Sequence, residues 1–342
     1  MKSALHSLRI TWLILLIFSL SCDGWAREPD KGNFPVLDID PTTGRIAWVT
    51  PGPFLHYRLV VLNANLSEID DILISTERVR SVNWSNDGRS ILVSTHGQEV
   101  KEYSISNNEL EAKNSYRLSG RIITDAVSVD NIWYVVYVEA TGAHEGNVGI
   151  YHPTSGNLTR IGPERSLEPT ASDPYLQIEA VSGRTGPKIV MRGIWSCKVI
   201  GINPPGNVGE ISPGPSIVDT FAGMTISGLG FIICSESEKC GIYDIDSLSL
   251  VKEIKLDSGH LRGVATSPSH LYWFVRKRPM LYRKRLTAPT KNPQVCQLRS
   301  VPRVIHPIGN GVLVGYPNGG LDRVGAESWG DKACPLIARY NP

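Results

Sequence analysis

The chain has 342 residues, of which 41% are hydrophobic and 20% charged, with 32 Gly, 23 Pro and 8 Trp. That apolar content with so little charge excludes a disordered chain, and a formal net charge of +2 gives no whole-molecule field that would gather nucleic acid. Length suggests about two domains, although repetitive all-β folds reach this size as one unit.

Residues 1–26 read as an export signal. Lys2 and Arg9 give a positive start, and Ile10 to Leu20 (ITWLILLIFSL) is an uncharged apolar core. About eleven residues are too few for a helix across a bilayer, which takes about 20, but they suit a signal peptide. Gly24-Trp25-Ala26 offers the preferred cleavage site, with Ser19-Leu20-Ser21 before Cys22 as the competitor. Ser19 stands where a lipoprotein signal would have Leu, Val or Ile, which argues against a lipid anchor on Cys22. With no other long apolar run, the sequence predicts an exported, soluble protein: secreted, or periplasmic in a Gram-negative source.

The six cysteines are Cys22, Cys197, Cys234, Cys240, Cys296 and Cys334. Cys234 and Cys240 bracket the polar turn SESEK, where a hairpin carries a bridge across its strands. Cys296 and Cys334 are candidates for a second bridge in an oxidising compartment. Cleavage after Ala26 then leaves Cys197 unpaired in the apolar run IWSCKVIG, as a small buried hydrophobe.

A repeat organises residues 27–342. LDIDPTTGRIAWVT begins at Leu37, VNWSNDGRSILVST at Val82, DAVSVDNIWYVVYV at Asp125 and TASDPYLQIEAVSG at Thr170. DTFAGMTISGLGFIICS follows at Asp219, GVATSPSHLYWFVRK at Gly263 and RVIHPIGNGVLVGYP at Arg303. Each is a short strand, a polar turn and a strongly apolar strand, and the starts lie about 40 to 49 residues apart. Several copies continue into a second hairpin, for example GIYHPTSGNLTRI and GIYDIDSLSLVKEI, making four strands per repeat. One sheet of that size cannot bury both faces, whereas several packed around an axis bury them against each other. The fold expected is all-β: a single β-propeller over residues 27–342 with seven blades, six or eight being the alternative counts.

The segment WSNDGRSILV, Trp84 to Val93, resembles the repeats of WD40-type and TolB-type propellers, without the paired Gly-His and Trp-Asp signature of the former. That resemblance implies that loops after the second strand and loops between blades share one face, and that the remaining turns share the other. On this frame, the sequon residues Asn65 and Asn157 fall on outer-hairpin turns, where a glycan would be solvated, while Asn83 closes an inner strand and stays unmodified.

The opposite face collects His56, His96, His144 and Glu145 in loops after second strands, and His260, Arg262 and Arg303 at blade entrances. His56, His96, His144 and Glu145 are weak metal candidates, since no spacing holds them on a rigid element. Arg276, Lys277 and Arg278, with Arg283, Lys284 and Arg285, place six cations within ten residues on one hairpin. Read as one patch, they would hold an acidic glycan or an acidic protein loop outside the cytoplasm, not nucleic acid.

An enzyme reading competes. No G-x-S-x-G elbow is present, and blade entrances offer Asp125, Glu168 and Asp219 as channel carboxylates among arginines. A metal-dependent hydrolase or lactonase, or a cyclase-like catalyst, would use those groups, with calcium or zinc entering only under that alternative. The leading expectation is a monomeric binding propeller with no cofactor and no transmembrane segment.

Overall fold

The computed structural model describes residues 37–342 apart from 53–55, 76, 96–97, 120, 140–145, 153–154, 162–176, 194–195, 203–204, 213–216, 226–227, 236–237, 257–258, 260, 288–291, 310, 327–328 and 330–331. Every regular element among them is a strand. Twenty-eight strands form seven four-stranded antiparallel sheets, and within each sheet the spatial order follows the chain. Blades I to VII cover residues 37–75, 79–117, 121–161, 177–211, 217–255, 261–297 and 304–340. This is the seven-bladed propeller that the period of about 44 residues implies.

Turn chemistry fixes the hairpins locally. Asn107-Asn108 and Asp130-Asn131 all take positive φ, between 52° and 66°, as two-residue hairpin loops require. The innermost strands are Leu37–Ile39, Val79–Trp84, Arg121–Val129, Gln177–Gly183, Ile217–Thr225, Leu261–Thr266 and Val304–Ile308. Each neighbours the inner strand of the next blade, and that of blade VII returns to that of blade I.

The core lies between blades. Trp48, Trp133 and Trp273, on the second strands of blades I, III and VI, are at most 1% exposed. Burying an indole contributes roughly 5 kcal/mol of transfer free energy, which a lone sheet could not gain. Gly315 of blade VII leaves room for Trp48, since a Cβ there would fall 2.5 Å from the indole.

Ring closure needs no strand from the N-terminus. Leu336–Tyr340 is the outermost strand of blade VII, so each blade is one contiguous stretch of chain. Polar clasps hold the seam between blades VII and I. Trp48 Nε1 donates to Gly319 O at 2.6 Å, Arg323 Nη1 to Ala64 O at 2.6 Å, and Tyr340 OH to Glu68 Oε2 at 3.0 Å. A disulfide between Cys296 and Cys334 ties the outer strand of blade VI to the last loop of blade VII. Beside it, Gln297 N donates to Lys332 O and Cys334 N to Gln297 O, both at 3.0 Å. A second disulfide joins Cys234 and Cys240, which face each other across a hairpin of blade V. Cys197 is free and buried. No helix among the described residues is long and apolar enough to cross a membrane.

Candidate functional site: the channel and the upper face

Loops that follow second strands, and those between blades, emerge on one side of the ring, called here the upper face. Turns from first to second and from third to fourth strands emerge on the lower face. Asn65 lies exposed in a lower-face turn, and Asn157 lies exposed at the start of the outer strand that follows one. Asn83 is part-buried, and its amide donates to Asp125 Oδ1 and Ala126 O, both at 2.8 Å, which occupies the nitrogen a glycan would use.

The six-cation hairpin does not form one patch. Arg276, Lys277 and Arg278 are exposed in the upper turn, but Met280–Arg285 then runs down the blade. At about 3.3 Å per residue, Arg285 lies about 16 Å further on, paired with His270 beside the lower turn. Alternation separates the side chains as well. Arg283 is buried, donating to Gln294 Oε1 at 2.7 and 3.1 Å and to Ala326 O, with its guanidinium 4.4 Å over Trp329. It clasps blade VI to blade VII. Lys284 Nζ reaches Lys255 O of blade V at 3.5 Å, and Arg285 is exposed on the lower side. Only the first triplet belongs to the upper face. Nor does blade IV extend the patch, because Arg184 sits in a lower turn, where it pairs with Asp244 and Asp246 of blade V.

Arg262 is the second residue of the inner strand of blade VI, and its charge acts on Asp219. Arg303 precedes the inner strand of blade VII, its backbone N–H donating to Gly315 O at 2.7 Å. His56 lies in the upper loop of blade I, its carbonyl accepting from Gly52 N–H at 2.7 Å. His96, His144, Glu145, Glu168 and His260 fall outside the described residues. Among the described residues, no three His, Cys, Asp or Glu side chains converge as a metal site requires.

The inner strands enclose a channel of about 720 Å³, within the usual range of small-molecule sites. Asp125 and Asp219 line it, as does Asp38. Each accepts a backbone N–H from the inner strand of the next blade. Asp38 Oδ2 takes Trp84 N at 2.6 Å, Asp125 Oδ2 takes Ile178 N at 2.9 Å, and Asp219 Oδ2 takes Val264 N at 2.8 Å. Three carboxyls on alternate blades thus stitch I to II, III to IV, and V to VI. Burial pushes Asp125 to about 6 against hydrogen bonds from Ser81, Ile178, Ala126 and Asn83, and pushes Asp219 to about 6 against the charge of Arg192. For Asp38, burial outweighs the N–H donors of Trp84 and Ile39, and repulsion from Asp125 and Asp40 adds to it, giving about 7.

His306, on the inner strand of blade VII, faces Asp38 with Nε2 3.7 Å from Oδ1. Its Nδ1 is 2.9 Å from Pro307 O, so that nitrogen carries the proton and donates. Burial lowers the imidazole to about 4. Nothing in the sequence marks His306, and Asn83 stands out there only as part of a sequon. What unites Asp38, Asn83, Asp125 and Asp219 is that each bonds the inner strand of the next blade, a relation between repeats that no single repeat displays.

No protein-family model matches the sequence, and no curated protein matches it. Solved structures do. The β-propeller domain of Cps50 (Swd1) from Myceliophteria thermophila superposes with a TM-score of 0.64 at 11% identity, over 84% of this chain and 95% of that one. Sqt1 of Saccharomyces cerevisiae superposes with a TM-score of 0.62 at 10% identity, over 90% of this chain and 86% of that one. With seven ordered blades in hand, the class is a seven-bladed β-propeller repeat protein. Likeness at such identity carries the fold and no activity.

Proposed function

We propose that this is a binding propeller working outside the cytoplasm, with the upper face of blade VI engaging an acidic protein or glycan. The observation that carries the reading is the turn Arg276-Lys277-Arg278. All three side chains are exposed, and among the described residues they form no ion pair. Lys277 holds φ 60°, so the turn is a defined one. Three adjacent cations without carboxylate partners leave a local positive field that an anionic surface would neutralise. Export is supported by the apolar N-terminal segment, by two disulfides of the kind that persist in oxidising compartments, and by exposed Asn65 and Asn157.

The test is retention of the purified protein on immobilised heparin and on immobilised poly-glutamate, eluted with salt. Replacing Arg276, Lys277 and Arg278 together by Glu is expected to abolish retention on both, while Arg285→Glu on the lower side leaves it unchanged. Retention of the triple variant at the wild-type salt concentration overturns the assignment.

A further inference from the structure

The channel holds an arrangement that the upper-face reading does not use. Asp38 Oδ1 and His306 Nε2 both reach the channel, with 25% of the Asp38 side chain and 23% of the His306 side chain accessible to it. Because His306 Nδ1–H donates to Pro307 O, Nε2 presents a lone pair. Asp38 Oδ1 already accepts Ile39 N at 2.8 Å and has a second lone pair to offer. At 3.7 Å the two atoms are too far apart to share a proton directly. They form two acceptors facing one space, with no hydrogen-bond donor between them among the described residues.

Cations stand beside two of the four channel aspartates. Asp40 is matched by Arg45 at 2.8 Å, and Asp219 by Arg192 at 3.1 Å. Asp38 and Asp125 receive neutral N–H donors and repel each other across the channel. The rest of the wall includes Ile39, Val127, Phe221, Ile305 and Pro307, and the Phe221 ring meets the imidazole edge-on at 5.4 Å.

We propose that the channel binds a small organic cation, a primary ammonium or guanidinium compound with an apolar body, which donates N–H to both Asp38 Oδ1 and His306 Nε2. Such a donor supplies the missing hydrogens, neutralises Asp38, and relieves its repulsion with Asp125. The apolar wall takes the remainder of the ligand. Two acceptors in a space of about 720 Å³ match one nitrogen head and one ring better than they match a metal ion, which needs more donors than converge among the described residues. This site is independent of the exposed turn of blade VI.

The test uses the full exported chain and isothermal titration at pH 8 with three probes: phenethylamine, 2-phenylethylguanidine, and the neutral twin 2-phenylethanol. At least one cation is expected to bind saturably, and the alcohol at least about tenfold more weakly, as loss of a charge-assisted hydrogen bond implies. Asp38→Asn keeps an acceptor for Trp84 N–H and should weaken the cation by about tenfold or more. His306→Phe should do likewise, with far-ultraviolet dichroism confirming an intact ring. Equal binding of cation and alcohol, or binding of none of the three, overturns the proposal. So does wild-type affinity in both variants. If a variant fails to fold, the comparison of charged and neutral probes on the wild type decides alone.

Discussion

Replacing Asp125 by Asn separates two effects that the channel wall combines. Asp125 Oδ1 accepts from Asn83 Nδ2 and Ala126 N, both at 2.8 Å, and Oδ2 accepts from Ile178 N at 2.9 Å. The amide of D125N keeps the Oδ1 contacts and loses the one to Ile178, a pH-independent cost of about 1–3 kcal/mol for a buried N–H left without an acceptor. The second effect titrates. Burial raises the folded carboxyl to about 6, from 3.8. The folded protein therefore holds this proton more tightly than the unfolded chain, and stability falls as pH rises from about 4 to beyond 6. The full linkage is about 3 kcal/mol, of which a little under half is lost between pH 5 and pH 8. D125N has no such proton, so its deficit relative to wild type should shrink by about 1 kcal/mol over that interval. Other titrating groups occur in both proteins and cancel, except that removing the Asp125 charge also eases the ionisation of Asp38, which reinforces the trend. Equilibrium urea unfolding followed by tryptophan fluorescence, at both pH values with disulfides intact, gives the two differences. A deficit that is constant with pH, or that widens at pH 8, refutes the linkage argument.

The disulfides should rank by loop length. Replacing Cys296 and Cys334 by Ser opens a loop of sequence separation 38 and should cost about 4 kcal/mol, whereas replacing Cys234 and Cys240 opens one of 6 and should cost about 2 kcal/mol. Urea midpoints with unchanged slopes measure both, and a larger loss from the shorter loop contradicts the chain-entropy account. Cys197 is 0% exposed, and burial pushes its thiol far above the ordinary range. Ellman's reagent should therefore find no reactive thiol in native residues 27–342 and one after denaturation; a native reaction would show that blade IV opens.

Much of the ring is written locally. Strand periodicity, Asn and Asp at hairpin turns, and apolar second strands such as IWYVVYV are short-range signals, so seven four-stranded blades follow from the repeat. The pairing of Cys234 with Cys240 also follows from one hairpin. Charge placement was harder to read because it depends on where a strand begins. Arg276 to Arg285 is one cluster along the chain, yet Met280–Arg285 is a strand, and its rise carries Arg285 to the other side while its alternation buries Arg283 under Trp329. The side on which Arg184 falls is hard to read for a related reason. The irregular fourth repeat hides that Gln177–Gly183 is its inner strand, which makes Arg184 part of a lower turn. His306 was illegible because its partner, Asp38, lies on the first blade and the ring closes between them.

That closure separates structural from available carboxyls. Asp125 spends both oxygens on donors from blades II, III and IV, and Asp219 is held by Arg192 and by the N–H of Val264. Either one is a stitch between blades, so a substitution there reads out first as lost stability, and activity changes in such variants would not by themselves mark a reaction. Asp38 makes the same stitch through Oδ2, but it lies beside the seam where blade VII meets blade I. There the neighbouring inner strand presents an imidazole lone pair in place of a backbone N–H. Among the channel carboxyls of the described residues, Asp125 and Asp219 are thus matched within the ring, whereas Asp38 faces a second acceptor across the seam. A ligand has most to contribute at that place, because every hydrogen bond it donates there replaces none that the protein already makes.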